Sequence, residues 1–266
     1  MINIGFIGAG NMGSALARAT SLCDGTRVFI YDKNEQKAKS LAKDIGAEFL
    51  SSEDIAKTCD YIFLAVKPNI IEAVADEIKD NLSSRSGYTL ISMAAGVALD
   101  SLKEAFCGID APIIRIMPNT PAAVGGGMTL WCKNEKVCDK AVTEFEKIMS
   151  KSGRLDYIPE KLIDAGSAVS GCGPAFVYMF IEALADGGVE CGLPRDKALL
   201  YACETVMGAA KMVNTTERHP EELKDAVCSP GGSTIAGVHA LEEGAFRASV
   251  ANAVRASYKK TLTLGK

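Results

Sequence analysis

The sequence predicts an α/β chain in two parts, a doubly wound and mainly parallel sheet domain followed by an all-helical one. Three observations carry this reading. Short apolar runs alternate with amphipathic stretches over residues 1–157. The run Ile62-Phe63-Leu64-Ala65-Val66 is apolar without alternation, as a strand covered on both faces requires. After Pro159 no further strand pattern appears and long helical stripes take over. The boundary is therefore expected near residue 158, giving domains 1–158 and 159–266.

Strands are expected at Ile2–Ile7, Arg27–Tyr31, Tyr61–Val66, Tyr88–Met93, Ile113–Met117, Met128–Cys132 and Arg154–Ile158. Helices fit between them at Asn11–Leu22, Asn34–Ile45, Asn69–Leu82, Leu99–Phe106 and Asn134–Ser150. Strand, helix, strand at this rhythm implies parallel crossovers. In the second part, Phe176, Phe180, Ala183 and Leu184 form one stripe. A helix opening near Pro194 carries Leu199, Ala202, Val206, Ala209 and Val213. Proline suits a first turn, where its missing N–H would have no helical partner. A last helix follows Gly244. These stripes look too broad for one small bundle to cover, which favours an oligomer interface over a simple helical cap.

Among 266 residues, 29 basic side chains face 33 acidic ones, a net charge of −4 that lacks the basic footprint of nucleic-acid binding. The nine cysteines contain no C-x-x-C, and the histidines are only His219 and His239, so no metal site can be drawn. The cysteines read as small apolar residues in a reducing compartment, and a cytoplasmic protein without a signal peptide is expected. Ala165–Ile181 is uncharged but holds three glycines and a proline, so it is expected to be a buried helix, with no membrane partner.

Gly8-Ala9-Gly10-Asn11-Met12-Gly13 lies between a buried strand and a helix. In that context the first glycine permits the turn, the second lets backbone approach a pyrophosphate, and the third allows close packing. Asp32 closes the second strand, where an acid binds ribose hydroxyls and favours NAD; the adjacent Lys33 suits a 2′-phosphate and NADP. Cofactor choice stays open on these two residues. Ala65-Val66-Lys67-Pro68, Ser92-Met93-Ala94-Ala95-Gly96 and Arg115-Ile116-Met117-Pro118-Asn119-Thr120-Pro121 sit at strand exits. Each is either room for a nicotinamide riboside or a plain exit turn. Ser229-Pro230-Gly231-Gly232-Ser233-Thr234 should turn tightly into a helix, making either an anion site for a carboxylate or an ordinary N-cap. Gly171-Cys172-Gly173-Pro174 is a kink for cofactor approach or a helix start.

Taken together, GFIGAGNMG, FLAVKP, ISMAAGV, RIMPNTPA, SGCGPAF, EALADGGV and SPGGSTI resemble the pyrroline-5-carboxylate reductase family over the whole chain. The resemblance implies a Rossmann-type domain and a helical dimerisation domain that exchanges helices between subunits, with dimers in many members assembling into decamers. It implies reduction of L-Δ1-pyrroline-5-carboxylate to L-proline by NADPH or NADH. Ile7, Gly8, Ala9, Gly10, Asn11, Met12, Asp32, Lys33, Ser52, Ala65, Val66, Lys67, Pro68, Met93, Ala94 and Ala95 would contact the cofactor. Gly231, Gly232, Ser233 and Thr234 would hold the substrate, with Glu160 and Glu217 near its ring and Thr234 as the catalytic hydroxyl. The alternatives are a 3-hydroxyacid or other imine reductase, and a non-enzymatic dinucleotide sensor. A 3-hydroxyacid enzyme would place a lysine where Ser170–Pro174 has none.

Overall fold

A computed structural model describes residues 1–263; the last three residues of the expected helical domain lie outside the described residues. The described residues divide into two compact units, 1–172 with 257–263, and Gly173–Ala256.

The first unit is built on one eight-stranded sheet. In chain order it runs β1 (Ile2–Ile7), α1 (Asn11–Ser21), β2 (Thr26–Tyr31), α2 (Glu35–Ile45), β3 (Glu48–Phe49), α3 (Ser52–Thr58) and β4 (Tyr61–Leu64). It continues with α4 (Ile71–Ser83), β5 (Thr89–Ser92), α5 (Leu99–Ala105), β6 (Ile113–Met117), β7 (Gly127–Lys133), α6 (Asp139–Met149), β8 (Gly153–Tyr157) and α7 (Glu160–Ser170). The strand order is β3-β2-β1-β4-β5-β6-β7-β8. Every neighbour is parallel except β6 and β7, which a short connection turns antiparallel. From β1 the chain winds outward to β3, then crosses back to β4 on the other side of β1. The carboxyl ends of β1 and β4 thus flank the point where the winding reverses, which is where open sheets of this kind bind ligands.

Both faces are dry. Ile62 and Leu64 of β4 pack with Ile55, Val74, Ile78, Leu102 and Ile163 on one face. Tyr61 and Phe63 pack with Leu16, Leu41, Trp131 and Phe145 on the other. One strand therefore feeds two cores with alternate side chains, and so reads as a continuous apolar run.

Several expectations need correction. The strands at β4 and β5 stop at Leu64 and Ser92, short of Val66 and Met93. The helix expected from Asn134 opens only at Asp139. Asn134 is instead buried, its Oδ1 accepting the Ile113 amide at 3.1 Å and its Nδ2 donating to the Ala111 carbonyl at 2.9 Å. The β3 strand and α3 helix lie outside the expected elements. A strand of two residues has no period to read, and α3 is started by the Ser51 hydroxyl accepting the Asp54 amide at 3.1 Å. By compactness α7 goes with the first unit, packing on the sheet through Ile163.

The second unit holds α8 (Gly173–Glu190), α9 (Arg195–Thr216), α10 (Pro220–Ala226), α11 (Ser233–Glu243) and most of α12 (Phe246–Thr261). Four residues join α8 to α9 as a helical hairpin, with Gly192 at φ 96° closing the end of α8. Its buried apolar cluster consists of Ala185, Ala198 and Ala202, with Ile181 and Val189 leaning on it. The larger side chains face outward: Tyr178 is 57% exposed, Met179 70% and Met207 58%. The expected burial of Ala165–Ile181 is therefore not realised by one chain. By length and composition Glu160–Glu190 could cross a membrane, but Gly171-Cys172 divides it into two helices. The second of these helices starts at Gly173.

Phe6 and Phe63 stack at the centre of the sheet with ring centroids 4.4 Å apart, both fully buried. Phe63→Ala should lower the stability of the sheet unit by about 3–5 kcal/mol, read as a fall in its urea midpoint.

Candidate active site

The β1–α1 turn is a backbone contact before it is a ligand site. Gly8 has φ 112°, and a Cβ there would stand on the Ala65 carbonyl. A Cβ on Gly13 would lie 2.5 Å from the Gly8 oxygen and 2.9 Å from the Ala65 methyl. These two glycines let the turn and the exit of β4 touch. Gly10 differs, because nothing lies within 4 Å of where its Cβ would be. It is the N-cap of α1, which has no side-chain cap and no acidic residue in its first turn. The amides of Asn11, Met12 and Gly13 precede the first helical bond, in which the Ser14 amide donates to Gly10 O at 2.8 Å. Open space beside uncapped amides at a helix start fits a dinucleotide pyrophosphate.

The expected cofactor residues separate by burial. Asn11 and Lys67 are exposed, and Gly10, Met12, Ala65, Val66, Pro68, Met93 and Ala95 are half-buried. Ile7, Gly8, Ala9 and Ala94 are buried. Ser52 is less accessible than a cofactor contact needs. It is fully buried on the first turn of α3, where its hydroxyl donates to Glu77. Lys67 takes the extended conformation, φ −65° and ψ 150°, that Pro68 imposes.

Asp32 does something the sequence did not reveal. Its Oδ2 accepts the Ala9 amide at 2.7 Å and its Oδ1 the Asn34 amide at 2.9 Å, strapping the glycine turn to the end of β2. A carboxylate has about four acceptor sites, so each oxygen keeps one for a ribose hydroxyl. Lys33 beside it is exposed.

At the third strand exit two side chains are engaged within the protein. Arg115 is buried, donating from Nη1 to Glu160 Oε1 at 3.0 Å and from Nη2 to Asp164 Oδ1 at 2.8 Å. Glu160, expected near a substrate ring, also accepts the Leu99 amide at 2.7 Å. Cys132 lies beside this pair, and burial, with Glu160 adding to it, pushes its thiol up to about 12 and keeps it neutral. Asn119 pins β7 to α7, accepting the Met128 amide and donating to the Ser170 carbonyl, each at 2.9 Å.

In the second unit, Ser229-Pro230-Gly231-Gly232 forms a tight turn. The Gly232 amide donates to Ser229 O at 3.0 Å, and Gly231 sits at φ 69°. The N-cap of α11 is Gly232, with no side-chain cap and no acid in the first turn. Ser233 and Thr234 thus stand on the helix itself, exposed, neither hydroxyl having a partner among the described residues. The N-cap alternative assigns their hydroxyls to capping; the structure leaves them free beside uncapped amides. Lys224 and Arg247, the nearest cations in sequence, both bind Glu221 and hold its carboxyl down at about 2. Glu217 ends α9 in the left-handed region at φ 54°, exposed. His219 caps α10, its Nδ1 accepting the Glu221 amide at 3.2 Å.

A doubly wound parallel sheet with a glycine turn at its reversal point, and a carboxylate closing its second strand, defines a dinucleotide-dependent oxidoreductase. Residues 3–96 match a family model described as NADP oxidoreductase, coenzyme F420-dependent, and residues 160–264 match pyrroline-5-carboxylate reductase dimerisation. The chain is 42% identical over 268 residues to the pyrroline-5-carboxylate reductase of Escherichia coli strain K12, covering 99% of this chain and 98% of that one. It is 40% identical over 267 residues to the enzyme of that name from Arabidopsis thaliana, covering 99% and 95%. The crystal structure of Plasmodium falciparum pyrroline carboxylate reductase with NADP bound matches at a TM-score of 0.89 and 36% identity, over 100% of this chain and 98% of that one. The chain belongs to the pyrroline-5-carboxylate reductase family.

The two glycines of the turn should behave differently. Gly10→Ala places a methyl in open space, so it should fold normally and raise the KM for NADPH roughly tenfold or more by blocking the pyrophosphate. Gly8→Ala should fail to fold stably. Thermal unfolding beside cofactor titration separates the two effects.

Proposed function

We propose that this chain reduces L-Δ1-pyrroline-5-carboxylate to L-proline, the last step of proline synthesis, using NADPH and accepting NADH. Family membership supports the reaction. The observation that carries the substrate half is the start of α11, where uncapped amides and two free hydroxyls meet without an acidic neighbour.

The cofactor supplies the hydride. The chain's residues bind and orient. The Gly231-Gly232 turn and the first amides of α11 hold the substrate carboxylate, with Ser233 beside it and Glu217 near the ring. Thr234 hydrogen-bonds the ring nitrogen. As the ring carbon of C=N receives hydride, the π electron pair moves onto that nitrogen. A threonine hydroxyl is too weak an acid to supply a proton there, so the substrate enters as the protonated iminium. Neither metal nor protein nucleophile is required by this step. At the adenosine end, Asp32 keeps the turn in shape and Lys33 takes the 2′-phosphate.

We propose a homodimer as the working unit, with any decamer built from such dimers. A unit whose buried cluster is three alanines leaves Tyr178, Met179, Leu200, Tyr201 and Met207 in water. So large an apolar surface is rare on soluble monomers, and a second copy covers it with one patch used twice. The nine free cysteines suit the cytoplasm.

Oxidation of NADPH with pyrroline-5-carboxylate, followed at one wavelength, tests the reaction; no turnover with this substrate would end the proposal. Within that assay Thr234→Ala should lower kcat by ~10²–10³ and leave cofactor binding intact, as loss of one transition-state hydrogen bond does. Met207→Glu puts charge on the exposed face of α9 and should yield inactive monomer by light scattering. A wild-type monomer with full turnover would remove the dimer from the mechanism.

A further inference from the structure

The β5 exit loop, residues 93–98, hangs between two fixed ends. At one end Ser92 is buried as the last residue of β5. At the other, α5 begins with a buried Leu99 whose N-cap, Ala98, has no side-chain oxygen to offer. The missing cap comes from a distant part of the chain. Glu160 Oε1 accepts the Leu99 amide at 2.7 Å. The same oxygen accepts Arg115 Nη1 at 3.0 Å, while Asp164, one turn further along α7, takes Nη2 at 2.8 Å. Arg115 is in register with Ser92 on the neighbouring strand, so both ends of the loop refer to one residue of β6. Its side chain is 4% exposed. A guanidinium cannot lose its charge, and buried it must keep both carboxylates. The Glu160 carboxylate is thereby held in one orientation over the start of α5.

We infer that Glu160, held by Arg115, is a positioning residue for the 93–98 loop and through it for the nicotinamide end of the cofactor. The inference rests on the reading that Met93 and Ala95 contact the cofactor. It replaces the substrate contact that family resemblance implied for Glu160.

Full-length variants under steady-state conditions test it. Glu160→Ala should raise the KM for NADPH about tenfold, the loss expected for an uncapped helix start beside a charge-assisted bond. The KM for pyrroline-5-carboxylate should move by less than about twofold. Glu160→Gln keeps an oxygen for the Leu99 amide and should recover most of the cofactor KM. Asp164→Asn weakens the hold on Arg115 without touching the cap, so it should lower the thermal midpoint and spare the cofactor KM. Ala95→Leu tests the underlying reading separately, because crowding the loop should raise the cofactor KM whatever Glu160 does. If Ala95→Leu acts and Glu160→Ala does not, the inference fails and the reading stands. If neither acts, both fail. A rise confined to the substrate KM, or equal effects of Glu160→Ala and Asp164→Asn on the cofactor KM, overturns the positioning role.

Discussion

The closeness of two backbones at the exits of β1 and β4 governs the sheet unit. Gly8 and Gly13 lie against Ala65 with no room for another carbon atom. Parallel strands all open at the same edge, so the glycine turn and the Ala65-Val66 exit come to one place only if they can touch. Asp32 then closes the third side by holding the Ala9 amide. The opening beside Gly10 is what remains once these contacts are made. A helix start without a cap is tolerable there because its amides face solvent or an anion rather than the core.

Among the described residues of the sheet unit, Arg115 is the charged side chain that is buried. Arg115 joins β6 to two carboxylates on α7, and one of those carboxylates completes α5. An isolated buried guanidinium would be intolerable, whereas one with two hydrogen-bonded partners locks the elements it touches. This ionic joint keeps α7 with the sheet, although the helical pattern of the sequence, and the family model that begins at residue 160, both group it with the later helices.

The helical unit obeys a different economy. Burial of apolar surface is worth about 25 cal/mol per Å², and three buried alanine methyls supply little of it. Its small residues serve close approach instead, as where Gly188 meets Ala198 between α8 and α9. The large apolar side chains are left on the outside, so burial within one chain contributes little to this unit.

Local pattern was enough for most of the sheet unit. Strand β1, β6 and the helices α1, α2 and α5 are legible because periodicity, glycine and proline act within a few residues. The glycine turn was legible for the same reason, as was the Pro-Gly-Gly turn before Ser233 and Thr234. Tertiary structure decided whatever depends on a partner distant in sequence. Asn134 reads as a helix residue until it is seen pinning β6. Ser52, a cofactor contact by resemblance, is buried with its hydroxyl on Glu77, 25 residues away. Resemblance places Glu160 near a substrate ring, yet the groups it holds, Leu99 and Arg115, lie 61 and 45 residues away. Sequence alone determines which backbone conformations and which faces are available, because those depend on each residue and its near neighbours. Which buried polar group finds which partner is decided only when the strands are laid side by side.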